Sequence, residues 1–220
     1  MSVLEARELY RFFHSGEEEV KALRGIDLTL GAGEMIALVG PSGSGKSTLL
    51  HCLAGLDEPD GGAVYLMNQP ISRQSEITKT KLRAKYFGVM RQKDNLISHL
   101  SVEENMAMVQ ALTSHSKESD RKNILDHIGI GKRANSLPAQ LSGGELARAG
   151  LAVALVCQPK ILLLDEPTGE VDSETEADIL TMLKDFQRDG GAIVIATHNA
   201  AAAKSATHVI KMKDGKIANG

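Results

Sequence analysis

Apolar positions along this chain change period several times, and the changes mark out its elements. Leu4–Phe13 and Leu23–Leu30 read as strands, with Gly16-Glu17-Glu18-Glu19 as a solvated turn. Gly31-Ala32-Gly33-Glu34 reads as a hairpin connection into a third strand, Met35–Val39. A helix is predicted over Ser47–Ala54. Dense turn chemistry follows in Asp57-Glu58-Pro59-Asp60-Gly61-Gly62, and then a strand over Ala63–Leu66. Several strands around one early helix predict an antiparallel sheet beside a parallel one.

From about Asp94 to Cys157 the period is helical. Ser101-Val102-Glu103-Glu104 has capping-box form, and Val102, Met106 and Val109 follow at helical spacing. Arg121–Ile128, closed by Gly129, predicts a second helix, and Gly144–Cys157 a third that is apolar on most faces. Ile161–Leu164 and Ala192–Ala196 are then unbroken apolar runs, as in strands covered on both faces of a parallel sheet. Phe87–Met90 reads the same way. A helix is predicted over Ser173–Arg188, with Ser173 and Glu176 as its capping box and Gly190-Gly191 as its stop. A short helix over Ala200–Ser205, a strand over His208–Met212 and a turn at Asp214-Gly215 complete the pattern. No repeat or heptad run is visible, and no appended regulatory domain is expected.

Composition narrows the class. At 220 residues, 42% hydrophobic and 24% charged, the chain suits one generous domain or a domain with an insertion. With 25 Lys+Arg against 28 Asp+Glu there is no broad basic face, so nucleic acid is not an expected partner. No apolar run approaches the ~20 residues of a bilayer span, and Met1–Glu5 does not begin a secretory signal. Cys52 and Cys157 form neither a disulfide framework nor a metal pattern and read as buried fillers, which makes cytoplasm the default.

The chemistry starts at Gly40-Pro41-Ser42-Gly43-Ser44-Gly45-Lys46-Ser47. It fits G-x-x-x-x-G-K-[ST] and lies between an apolar strand and a helix, as a phosphate-binding loop requires. Its glycines let successive N–H groups face one anion, and the helix start adds partial positive charge. Lys46 would reach the β- and γ-phosphates, and the Ser47 hydroxyl would ligate Mg²⁺; Thr48 joins them as a nucleotide contact. Asp165-Glu166 ends the Ile161–Leu164 strand, where open parallel sheets bind ligands. Asp165 is the candidate second Mg²⁺ ligand, and Glu166 is poised to activate the attacking water. The long gap between Ser47 and Asp165 requires an insertion, for which the helical stretch is the candidate.

Leu141-Ser142-Gly143-Gly144-Glu145 is the most specific signal. It resembles the LSGGQ-type signature of ABC (ATP-binding cassette) ATPases, with Glu in the last place. The resemblance covers essentially the whole chain and is nearest the group that includes LolD, MacB and FtsE. It implies an α/β P-loop core, a mixed parallel sheet plus an antiparallel β part over 1–90 and 156–220, with an inserted helical subdomain over 91–155. It implies head-to-tail dimers in which Ser142, Gly143, Gly144 and Glu145 of one copy close over ATP held by the other. Matched one at a time, Gln92 is the Q-loop glutamine and a further Mg²⁺ contact, Gly169-Glu170-Val171-Asp172 the D-loop ending in its acid, and His198 the switch histidine on the γ-phosphate. Phe13 is the chosen adenine-stacking ring, with Phe12 and Tyr10 as alternatives. A separate membrane permease is the implied partner, placing the chain on the cytoplasmic face of the membrane. Arg91, Leu146 and Val153 depart from that group's pattern, the first at the expected permease contact. The rival classes are a soluble ABC ATPase of DNA repair or chromosome type, which would need a long coiled-coil insertion, and a small-molecule kinase, which has no use for Leu141–Glu145.

Overall fold

The computed structural model describes residues 2–15, 18–113, 118–169 and 171–218. In chain order the elements are β1 (Ser2–Ser15), β2 (Glu18–Gly31), β3 (Met35–Val39), α1 (Lys46–Leu53), β4 (Gly61–Leu66), β5 (Gln69–Pro70), α2 (Glu76–Tyr86) and β6 (Phe87–Met90). Then come α3 (Val102–Ala111), α4 (Glu118–His127), α5 (Gly143–Leu155), β7 (Ile161–Asp165), α6 (Ser173–Arg188), β8 (Ala192–Ala196), α7 (Ala200–Ser205), β9 (His208–Lys213) and β10 (Lys216–Ile217).

Two sheets form. One is antiparallel, in the order β2-β1-β4-β5; the other runs β10-β9-β3-β8-β7-β6, and its four pairings from β9 to β6 are all parallel. The period of two along each parallel strand explains why these strands are apolar throughout. Ile36, Leu38, Ile161, Leu163, Ala192 and Val194 face the core shared with the antiparallel sheet and α1. Met35, Ala37, Leu162, Leu164, Ile193 and Ile195 face the opposite core, against Met106, Leu125, Leu151, Ile179 and Leu183 of the helices.

The pairing places the site. β8 lies between β3 and β7, with Leu38 opposite Ala196 and Asp165 also opposite Ala196. The carboxyl ends of these strands therefore deliver Gly40, Asp165 and the Thr197-His198 pair to one edge of the sheet. All of 91–160, including α3, α4 and α5, is inserted between the paired strands β6 and β7. Close approach holds α5 to the sheet: a Cβ on Gly88 of β6 would lie 2.2 Å from the Ala154 carbonyl oxygen.

Several expectations change. Residues 31–34 do not close a hairpin, because β2 pairs with β1 in one sheet and β3 with β8 and β9 in the other. Of the turn predicted over Gly16–Glu19, Gly16 and Glu17 lie outside the described residues, and Glu18 and Glu19 belong to β2. The cap of α6 is Asp172 rather than Ser173; its carboxylate accepts the N–H groups of Glu174 and Thr175, and Ser173 is already the first residue inside the helix. Helix α2 was not anticipated. Its apolar side is only Leu82 and Tyr86, too short a pattern to mark a helix; it starts on a Ser75 cap and is tied down by Lys79, whose buried amine meets Glu76 at 2.6 Å and Glu58 at 3.0 Å.

Candidate nucleotide site

A cleft of about 900 Å³ opens at the carboxyl edge of the parallel sheet. Every residue from Gly40 to Thr48 lines it, together with Gln92, Asp165, Glu166, His198 and Phe13. Sequence-distant motifs thus converge on one cavity. Of the three candidate rings, only Phe13 lines it, whereas Tyr10 packs against Gly25 and Gly61.

Helix α1 begins at Lys46 with Gly45 as a left-handed cap (φ 99°) and no side-chain hydrogen bond. The first N–H groups of a helix have no intrahelical acceptor, so this end is left open to an anion. Only glycine fits there: a Cβ on Gly45 would lie 2.4 Å from the Ala22 carbonyl oxygen. Lys46 Nζ donates to the Gly40 and Pro41 carbonyls at 2.8 and 3.1 Å, across the mouth of its own loop. Ser44, 2% exposed, has a buried hydroxyl with no partner among the described residues. A buried donor left unmade is costly, and an arriving phosphate oxygen would satisfy it.

Opposite the loop, Asp165 is buried at the end of β7. Glu166 follows in the left-handed region (φ 50°), and its N–H donates to the Ala196 carbonyl. This backbone, rare for a side chain of that size, turns the carboxylate toward the loop after β8. There Oε1 lies 2.9 Å from His198 Nδ1, and Oε2 accepts the His198 backbone N–H at 3.3 Å.

The remaining sequence candidates lie elsewhere. Ser142, Gly143, Gly144 and Glu145 form the exposed-to-half-buried start of α5, and none of them lines the large cleft. Their turn is prebuilt. Ser142 Oγ accepts the Glu145 N–H, Glu145 Oε2 accepts the Ser142 N–H at 2.9 Å, and Arg133 Nε donates to Oε1 at 2.7 Å. The Ser142 N–H and then the Arg133 guanidinium hold the Glu145 carboxyl down at about 2. Gly143 lines a second cleft of about 460 Å³, which shares Gln92, Glu166 and His198 with the first. Asp172 enters neither cleft, since its carboxylate is engaged with Glu174 and Thr175; Glu170 lies outside the described residues. Thr175 in turn accepts from Arg148 of α5 at 3.2 Å, so the cap of α6 is tied to the signature helix.

Sequence reasoning missed the far rim of the large cleft: Glu19, Lys21, Ala22 and Arg24 of β2, and Asp214 of the last turn. No local pattern marks them. Among the departures, Arg91 is exposed and donates to the Asp94 carbonyl at 2.9 Å, and Leu146 is 40% exposed beside the signature.

Residues 23–169 match the family described as ABC transporter. The chain belongs to the ABC transporter family. As an ABC cassette it is 39% identical over 218 residues to the lipoprotein-releasing system ATP-binding protein LolD of Acinetobacter baylyi, covering 97% of this chain and 96% of that one. It is 38% identical to the macrolide export ATP-binding/permease protein MacB 1 of Aeromonas hydrophila subsp. hydrophila, covering 98% of this chain but 34% of that protein. Its fold superimposes with a TM-score of 0.94 on the dimeric post-hydrolysis state of the ATP-binding cassette MJ0796 bound to ADP and Pi, at 32% identity, over 98% of this chain and 97% of that one. The cassette is an ATPase that binds and hydrolyses ATP. Nothing among these relatives supports the soluble repair-type or kinase alternatives. Among the described residues no helix is long and apolar enough to cross a membrane.

Proposed function

We propose that this chain is the ATP-hydrolysing subunit of a LolD- or MacB-like complex, in which two copies close head to tail around two ATP molecules and drive a separate membrane permease. The observation that carries the reading is the separation of two anion cradles. The phosphate loop lines the large cleft, whereas the equally prebuilt Ser142–Glu145 turn does not. One chain has no use for the second cradle; a second copy brings it over the first. The LolD and MacB names and the dimeric form of MJ0796 support the same assembly.

Within that dimer each group has a role. Loop amides and Lys46 hold the phosphates, Phe13 stacks on adenine, and Glu166 takes the proton of the attacking water. His198, already held by Glu166, is placed to donate to the γ-phosphate, and Ser142, Gly143 and Gly144 of the other copy enclose it. Asp172 acts through the α5–α6 junction, since its carboxylate is committed to the cap. The donor set also fits Mg²⁺: one buried carboxylate (Asp165), one hydroxyl (Ser47) and one amide (Gln92) are hard oxygen donors, too few for an all-protein cage and suited to an ion shared with substrate phosphates. When bound, the ion would neutralise charge developing on the phosphates. The helical segment 91–155, with exposed Arg91, Met108 and Leu112, is the part that would meet the permease on the cytoplasmic face of the membrane.

The test is the order of the reaction in protein. ATP hydrolysis per copy should rise with protein concentration at the dilute end, and Ser142→Arg should keep ATP binding while abolishing ATP-induced dimers in size-exclusion runs. Constant turnover per copy at every dilution, with Ser142→Arg fully active, would overturn the shared site.

A further inference from the structure

The Phe13 ring is not free-standing. Its exposure is 38%, and the Arg11 guanidinium lies over it at 4.5 Å from the centroid. Arg11 does not line the cleft although Phe13 does, so the cation backs the ring from outside. Asp60, in the turn before β4, fixes that cation: its carboxylate meets the guanidinium at 3.2 Å and also accepts the Phe12 N–H at 2.6 Å. The Asp60 N–H donates in turn to the Tyr10 carbonyl at 2.9 Å. Three ties from one residue therefore hold the outer end of β1 on both sides of Arg11. The guanidinium is also partly dry, with a buried Nε that has no partner among the described residues.

A cation over one face of an aromatic ring is attracted by its quadrupole and draws electron density toward itself. The opposite face then repels the π cloud of a stacked base less, and the ring is stopped from turning away. We propose that Arg11, fixed by Asp60, is a positioning residue that strengthens the grip of Phe13 on the nucleobase. This rests on the reading of Phe13 as the adenine platform. Arg11 touches no part of the triphosphate; it acts on the base alone, through the ring.

The experiment compares ATP with inorganic triphosphate, each competing against a fluorescent ATP analogue on the full chain. Arg11→Met should weaken ATP about two- to fivefold, the range for a cation over an exposed ring, and leave triphosphate unchanged. Arg11→Lys, which keeps a cation, should restore most of the loss. Asp60→Asn retains an acceptor for the Phe12 N–H but loses its charge, and should shift ATP in the same direction; it and Arg11→Lys carry the test if Arg11→Met does not fold. In a Phe13→Ala background Arg11→Met should have no further effect. Equal weakening of ATP and triphosphate, or a persisting Arg11→Met effect without the ring, would make Arg11 merely structural and overturn the proposal. If Phe13→Ala weakens ATP but neither Arg11→Met nor Asp60→Asn does, the backing fails and the platform stands. If Phe13→Ala leaves ATP binding intact, platform and backing fall together.

Discussion

Replacing Glu166 by Gln is the sharpest probe of the chemistry, because the structure predicts that almost nothing else changes. The amide oxygen can still accept the His198 N–H, now at 3.3 Å, and the amide nitrogen can face Nδ1 where Oε1 lies 2.9 Å away. The left-handed backbone is equally strained for Gln and Glu, and no volume is removed. Folding stability should therefore move by no more than about 0.5 kcal/mol, as for substitutions that create no cavity or orphan. What is lost is the charge and basicity that take a proton from water. General-base catalysis contributes about 10²–10⁴-fold, or about 2.7–5.4 kcal/mol of barrier at 1.36 kcal/mol per decade. Phosphate release should fall by that factor while ATP affinity holds, so ATP-bound dimers should accumulate in size-exclusion runs. Turnover within about threefold of the parent would reject Glu166 as the base, since no general base is worth so little.

Two further outcomes follow from geometry and charge. Gly45→Ala should abolish ATP binding and lower the melting temperature, because its Cβ would sit 2.4 Å from the Ala22 carbonyl oxygen, whereas Gly43→Ala, with nothing within 4 Å, should cost only backbone strain of about 1–3 kcal/mol in chemical denaturation. Glu145, whose carboxyl is held down at about 2 from an ordinary 4.5, stabilises the folded state above pH 4.5 and loses that contribution as pH falls toward 2. Glu145→Gln keeps acceptors for the Ser142 N–H but does not titrate, so the stability gap between parent and variant should shrink across that window; a gap that stays constant would remove Glu145 from the acid response.

What was legible in the sequence was local. The phosphate loop, the Asp165-Glu166 pair and the Ser142–Glu145 box each carry their physics within a few residues, and all stand where the pattern placed them. The parallel strands were legible because burial on both faces leaves an unbroken apolar run. The misses share a cause. Nothing within residues 31–34 says that the flanking strands join different sheets, since that choice is made by β8 and β9. Helix α2 escaped because its apolar side is only Leu82 and Tyr86, and the buried Lys79 amine, paired with Glu58 and Glu76, ties it down. Glu19, Lys21, Arg24 and Asp214 reach the cleft only through tertiary placement.

The present partners of the motif residues were the least legible part, and they say how the site is poised. Lys46 spends its charge on two carbonyls, the Ser44 hydroxyl spends nothing, and Glu166 and His198 hold each other across the cleft. An incoming triphosphate offers the Lys46 ammonium anionic acceptors in place of two neutral carbonyls and can satisfy the Ser44 hydroxyl. The same anion must compete with the Glu166 carboxylate for His198. On the proposed roles, a nucleotide can seat on the loop while Glu166 and His198 still hold each other, and opening that pair would then pass the histidine to the γ-phosphate.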